Sequence, residues 1–444
     1  MFKDLPPHKY SHGAPTAGTQ PGAGYPPVLL ALANYYGTLA AARSLGAMGI
    51  RVTVAERRLL APARWSRFVS HTVSCPDVGT QPDDFLAWLL AFGERKRHVL
   101  IATSDDLAWL FAQNSKVLRR RFVLETPPVE TIYTLLSKWR LREAALAAGL
   151  ESPESWLPKD EGELERIRRS ARFPLLIKPQ TQVFLSPHLK GRVVLKPDSL
   201  RQQYNSFAAA ARHAKIVCQQ DPWVTRPMLQ SFEANERNSI YNLSGYVDCR
   251  ADLFVAMASR KVLQVPRLTG VGLCFEEEVV EPTLAAKLRD LCERVGYYGI
   301  FEAEFIRRDG RFLFIDFNPR LYGEMAFDIR RGLDLPAIAY LSALGDTAAV
   351  KRLVDQARDR VGTIEGRVYC NHAQMATLLL LERLSRIGPT DARQWLCWSI
   401  RNRERITNPA FVHGDVAPGF VDAVGTVLHQ LSHPRSTLRA VRER

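Results

Sequence analysis

The stretch Ile300–Gly323, IFEAEFIRRDGRFLFIDFNPRLYG, leaves this chain the fewest ways to fold. Two runs of strand-forming residues flank Asp309-Gly310, a dipeptide suited to a two-residue hairpin turn. Strand residues two apart share a face, so Asp316 and Asn318 point the same way. The hairpin can bring Glu304 alongside them. The expected result is a small set of oxygen ligands flanked by Phe301, Phe305, Phe314 and Phe317. Carboxylates among aromatics are costly unless a cation or a partner offsets them. Mg²⁺ suits such a set, because it is hard, prefers oxygen, and is usually held by one or two carboxylates plus phosphate. Pro319 ends the second strand, and Arg320 offers a planar fork for phosphate or carboxylate.

The rest of the chain supplies a large globular body. At roughly 150 residues per domain, 444 residues suggest about three domains. Residues 1–25 are rich in Pro, Gly, Ala and Thr and read as a disordered leader. From Val28 a strand, a helix over Gly37–Met48 and a second strand form a β-α-β unit with a parallel sheet as its natural home. The alternation continues to about residue 130, so residues 26–130 read as an open α/β domain. A dinucleotide site there is disfavoured, because the turn ANYYGTLAA has one glycine where a backbone close to pyrophosphate needs three. Residues 131–345 mix strands and helices without strict alternation and read as α+β with a mainly antiparallel sheet. Residues 346–444 read as a basic helical extension.

At this point the residues carry a resemblance. E-F-x(3)-D-G-x(5)-D-x-N-P-R, preceded far upstream by LLIKP, resembles the ATP-grasp superfamily of carboxylate–amine ligases, in particular the carbamoyl-phosphate-synthase-like and D-aspartate-ligase-like branch. The resemblance covers about residues 28–345. It implies a pre-ATP-grasp α/β domain, then an ATP-grasp domain with a lid subdomain at about 175–232, and ATP held between the lid and the carboxylate-bearing part. Residue by residue, Glu304 and Asp316 resemble the paired Mg²⁺ carboxylates and Asn318 the ligand two residues on, with Mn²⁺ as a substitute metal. Arg320 resembles the arginine that steadies the transferred phosphoryl group or the substrate carboxylate. Lys178 and Lys138 resemble the nucleotide-phosphate lysines, and Lys261 the lysine beneath the γ-phosphate. Gln230, Ser231 and Phe232 resemble the hinge that reads adenine, and Glu236 the ribose-binding acid.

Each lysine has a bland alternative as a solvated strand or helix charge. Lys196, in the near-duplicate VVLKP, competes with Lys178. Lys178 is preferred because Phe173-Pro174 leads into it, whereas an ordinary helix follows Lys196. The lid loop departs from the family pattern. It contains one glycine, Gly191, where many members have a glycine-rich loop, and Lys190 or Arg192 would have to compensate.

The resemblance implies a ligase that activates a carboxylate as an acyl phosphate with ATP and joins it to an amine or similar nucleophile. The partners are then small molecules, and related enzymes are often dimers. An alternative is a non-catalytic ATP-binding scaffold, which the glycine-poor lid suggests. The formal net charge of +14 also raises nucleic-acid binding, but no zinc-finger, RRM or helix-turn-helix signature accompanies it. Seven scattered cysteines without C-x-x-C spacing suggest a reducing compartment, hence the cytoplasm. In the C-terminal region Trp395, Trp398, Ile400 and Phe411 lie among arginines, a pattern that either docks on an anionic membrane or packs on the body.

Overall fold

The computed structural model describes residues 24–185, 191–211, 226–232, 240–250, 252–267, 270–385 and 392–433. Its first part runs β1 (Val28–Ala31), α1 (Tyr36–Ala47), β2 (Val52–Ala55), β3 (Val69–Val73), α2 (Pro82–Gly93), β4 (Val99–Leu100), α3 (Asp105–Gln113), α4 (Ser115–Leu118) and β5 (Val123–Leu124). A 3₁₀ turn over Pro62–Trp65 lies between β2 and β3. The sheet is parallel throughout, in the order β3-β2-β1-β4-β5. Its central strands VLLA and VTVA are wholly buried, as expected when helices cover both faces.

The lone glycine of the first turn has a packing role. A Cβ on Gly37 would sit 2.5 Å from the Tyr322 carbonyl oxygen, so only glycine lets α1 approach the backbone beyond the Asp316 strand.

The second part contains α5 (Val129–Leu136), α6 (Lys138–Ala147), β6 (Ser155–Trp156), α7 (Glu161–Ser170), β7 (Leu175–Lys178), β8 (Arg192–Val194), α8 (Leu200–Ala211) and β9 (Met228–Ser231). Its small antiparallel sheet has the order β6-β9-β7-β8. Leu164, Ile167, Leu175, Ile177, Tyr204 and Phe207 close a separate core over one face of it.

The third part runs β10 (Ile240–Val247), β11 (Phe254–Val265), β12 (Val271–Glu278), α9 (Pro282–Val295), β13 (Gly299–Arg308) and β14 (Arg311–Asn318). Then come α10 (Met325–Arg331), α11 (Leu335–Ala343), α12 (Thr347–Arg358), β15 (Val368–Cys370), α13 (His372–Ser385), α14 (Ala392–Arg401), β16 (Ile406–Thr407) and α15 (Ala417–Ser432). The seven-stranded sheet has the order β14-β13-β10-β11-β12-β15-β16. The β13–β14 turn is at Asp309-Gly310, with φ of 51° and 76°. Left-handed conformations at both central residues match the right-handed twist of the flanking strands.

The C-terminal region is mainly helical, as expected, and it also adds β15 and β16 to the large sheet. It is tied back to the first part as well. Arg43 donates to Asp415 at 2.7 Å, and the Tyr36 hydroxyl donates to Asp422 at 2.7 Å. One core joins the first sheet to the large one through Leu30, Leu39, Val54, Tyr246, Met257, Ile300, Tyr322 and Ile338. Burying each large aliphatic side chain contributes about 1.5–3 kcal/mol, so the two sheets are held as one packed unit.

Candidate active site

The large sheet has one polar face and one aromatic face near β13 and β14. Glu304 is the register partner of Asp316, and Glu302 of Asn318. On the neighbouring strand Asn242 stands beside Glu304 and Ser244 beside Glu302. The strand period of two sends Phe301 and Phe305 to the opposite side. There Phe301 stacks on Phe317 at 5.8 Å and Phe305 meets Phe314 at 5.2 Å. The four phenylalanines therefore support the acidic hairpin from behind. They do not flank its carboxylates, as the sequence had suggested.

Three lysines from three elements converge on the carboxylate pair. Lys261 of β11 donates to Glu304 at 2.7 Å. Lys138, the first residue of α6, is ion-paired with Asp316. Its backbone N–H donates to the Gln180 carbonyl at 2.6 Å, which ties α6 to the segment after β7. Lys178, the last residue of β7, lies in the field of Lys138, Asp316 and Glu304. Burial, reinforced by the Lys138 charge, pushes the Lys178 ammonium down to about 8. Burial works against charge on Lys261 and Asp316 too. It is the largest single influence on each, yet Glu304, Glu302 and Glu324 together raise Lys261, and Lys138, Lys178 and the Phe317 amide together hold Asp316 low. Lys196, the competitor, is exposed just past the end of β8.

Arg320 is a junction. Its Nε donates to Asp105 at the start of α3, its Nη2 to the Asn318 Oδ1, and its Nη1 to the Leu321 carbonyl, each at 2.9 Å. Asn318 passes the network on, donating from Nδ2 to Glu302 at 3.0 Å. Asn242 donates from its Nδ2 to both Glu302 and Glu324 at 3.2 Å. Burial, then their mutual repulsion, raises Glu302, and burial also raises Glu324. Sequence reasoning missed Asp105, Asn242, Glu302 and Glu324. Only Glu302 had a usable signal, its place two residues before Glu304 on the same face.

The remaining expected residues are spread along the small sheet. Gln230 is buried in β9 and donates to the Ser155 hydroxyl at 3.1 Å. The Ser231 and Phe232 amides donate to the Glu154 and Pro174 carbonyls at 2.8 and 3.1 Å. Those two N–H groups are therefore engaged within the protein. Glu236 and Lys190 lie outside the described residues. Arg192 sits over the Phe207 ring at 5.9 Å.

Among the described residues no cluster of three or more His, Cys, Asp or Glu side chains is arranged to hold a metal. The donor set is two opposed carboxylates with an asparagine beside them. That fits a hard divalent cation whose other ligands are phosphate and water. A cavity of about 70 Å³ opens beside Arg320, between the ends of β4 and β5 and the start of β13. Glu125, Tyr246, Tyr297, Tyr298 and Ile300 help to line it.

No protein-family model matches the sequence, and no curated protein matches it in sequence. Solved structures do match in shape. The biotin carboxylase domain of the Hydrogenobacter thermophilus 2-oxoglutarate carboxylase, solved with MgADP, ADP and bicarbonate, aligns with a TM-score of 0.56 at 15% identity. That alignment covers 71% of this chain and 69% of that one. N5-carboxyaminoimidazole ribonucleotide synthetase from Thermus thermophilus aligns at 0.52 and 15% identity, over 72% of this chain and 78% of that one. L-amino acid ligase from Bacillus licheniformis aligns at 0.54 and 12% identity, over 72% and 75%.

Proposed function

We propose that this chain, which has the ATP-grasp fold, uses ATP to activate a substrate carboxylate and joins it to an amine. In the first step a carboxylate oxygen attacks the γ-phosphorus of ATP. The bond to the β-phosphate oxygen breaks, giving an acyl phosphate and ADP. In the second step the amine attacks the acyl carbon, phosphate leaves, and the amine loses a proton. The observation that carries this reading is the convergence of Lys138, Lys178 and Lys261 on the facing pair Glu304 and Asp316. Solved structures of similar shape bound to ADP support it.

Phosphoryl transfer asks a protein mainly for positioning and fixed charge. Lys138 and Lys178 would hold the inner phosphates, and Lys261, buried beneath the carboxylates, the outer one. Glu304, Asp316 and Asn318 would hold Mg²⁺, with Mn²⁺ as a substitute. When bound, the metal neutralises charge on the phosphate oxygens. Arg320 has five N–H donors. Three bonds among the described residues leave others for an anion in the adjoining cavity. Gln230, Ser231, Phe232 and Glu236 would hold the nucleoside. Closure of the part that carries β7–β9 would shield the acyl phosphate from water.

The test is release of ADP over a screen of carboxylic acid and amine pairs. With an ¹⁸O-labelled acid, an acyl phosphate transfers label to the released phosphate. ATP binding without ADP release for any pair would favour the non-catalytic reading suggested by the glycine-poor lid. We place the membrane contact expected of the C-terminal region on a separate surface, the outer face of α15.

A further inference from the structure

The amphipathicity of α15 is inverted. Its body-facing side carries Pro418, Gly419 and Asp422, all buried. Its outward side carries Phe420, Val424, Val427, Leu428 and Leu431, which are 48–73% exposed. These five follow a helical repeat and form one stripe, on the side of the helix away from its anchoring residues. The 3₁₀ turn packs beside α15, where Leu60 lies next to Gly425. This neighbouring segment adds Leu59, Leu60 and Trp65, which are 46–67% exposed. Scattered exposed apolar side chains are ordinary, but a contiguous group of this size marks a contact surface.

The charge around the stripe selects its partner. Residues 57–67 contain Arg57, Arg58, Arg64 and Arg67 and no acid. Arg58 is paired with Glu56, while Arg57 and Arg67 are exposed. Along α15 the only acid is Asp422, which faces Tyr36 and not solvent. A second copy of this patch would set arginines against arginines. An anionic lipid surface would attract them, accept the apolar stripe, and seat a tryptophan at headgroup level.

The tryptophans expected at this task, Trp395 and Trp398, are occupied elsewhere. They pack on the Leu263, Cys274 and Met375 cluster, and Trp398 donates to Glu276 at 2.7 Å. No helix among the described residues is long and apolar enough to cross a membrane.

We propose that the outer face of α15, with Leu59, Leu60 and Trp65, docks the protein on an anionic membrane surface, lying in the headgroup region without spanning it. The test is co-sedimentation of the full chain with vesicles. Binding to phosphatidylglycerol-containing vesicles should exceed binding to pure phosphatidylcholine, and it should fall as salt screens the arginines. Val424→Asp with Leu428→Asp should weaken binding about tenfold or more. Both side chains are half exposed, so the melting temperature should stay unchanged. Leu431→Asp, at the most exposed position of the stripe, should act in the same direction. Three results would overturn the proposal. One is no binding to the anionic vesicles at low salt. Another is equal binding by wild type and the double variant. The third is a concentration-dependent dimer that the double variant dissolves, which would assign the face to a second copy.

Discussion

Glu304 and Asp316 face each other across β13 and β14, and each carboxylate is engaged by a lysine from a different part of the chain. Lys261 reaches Glu304 from within the same sheet, whereas Lys138 reaches Asp316 from the start of α6. The pair is thus already surrounded by the positive charge that a polyphosphate needs. Exchanging either acid for its amide keeps the shape and removes the charge. Glu304→Gln and Asp316→Asn should each lower substrate-dependent ADP release by about 10²–10³ while leaving the near-UV circular dichroism intact. Full turnover by both variants would exclude the proposed roles. Asn318→Ala should have a milder effect on turnover.

The Lys261–Glu304 pair should also matter for stability. The Lys261 side chain is 6% exposed and the Glu304 side chain 20%. Removing one member of a buried pair leaves an uncompensated charge, which costs about 3–5 kcal/mol when burial is complete. Lys261→Met should therefore destabilise by about 3 kcal/mol, given the residual exposure of Glu304. The double variant with Glu304→Gln should recover most of that loss while remaining inactive. Urea denaturation midpoints read this directly. Equal losses in the single and double variants would show that the two groups are not coupled.

Two IKP-like and LKP-like strands compete on paper for one role, and the tertiary structure separates them. Lys178 is half-buried with both carboxylates nearby, while Lys196 is exposed. Lys178→Ala should weaken ATP binding at least about tenfold, the scale of one charge-assisted hydrogen bond. Lys196→Ala should leave it within about twofold. Titration calorimetry with ATP distinguishes the two, and a reversed order would transfer the role to Lys196.

Asp106 should give the protein a specific pH response. It accepts a 2.7 Å hydrogen bond from the Phe184 amide, which joins α3 to the loop after β7. Burial raises its carboxyl from 3.8 to about 6 despite that bond. The folded state therefore holds this proton more tightly than the unfolded chain does. Stability from this group falls as pH rises from about 4 to about 6 and is level above that. Asp106→Asn keeps an acceptor for Phe184 and carries no charge. It should raise the melting temperature at pH 7 to 8, by an amount worth about 1–2 kcal/mol. The difference should vanish as pH falls through 6 toward 4. A difference independent of pH would mean that Asp106 does not titrate in this way.

Much of the local structure was legible in the residues. The Asp309-Gly310 turn, the shared face of Asp316 and Asn318, and the helix expected over Gly37–Met48 and found over Tyr36–Ala47 follow from turn chemistry and period. Gly37 was legible only as a missing phosphate loop. Its actual role depends on Tyr322, almost three hundred residues away. The same limit hid Glu324, Asn242 and Asp105, which carry no motif and matter only through the partners they meet. For Trp395 and Trp398 the basic segment left docking on a membrane and packing on the body both open, and α14 packs them onto the large sheet.

The sequence by itself determined the acidic hairpin, the parallel α/β start and the resemblance that ordered the candidate lysines. These follow from dihedral preferences and side-chain periods that act over a few residues. Only the tertiary structure decided that Lys138, Lys178 and Lys261 meet at the Glu304–Asp316 pair, that Arg320 links Asp105 to Asn318, and that α15 shows its apolar stripe outward. Which distant charges meet depends on the balance between desolvation and pairing in the packed molecule. That balance belongs to the assembled contacts of the whole chain and not to any one segment.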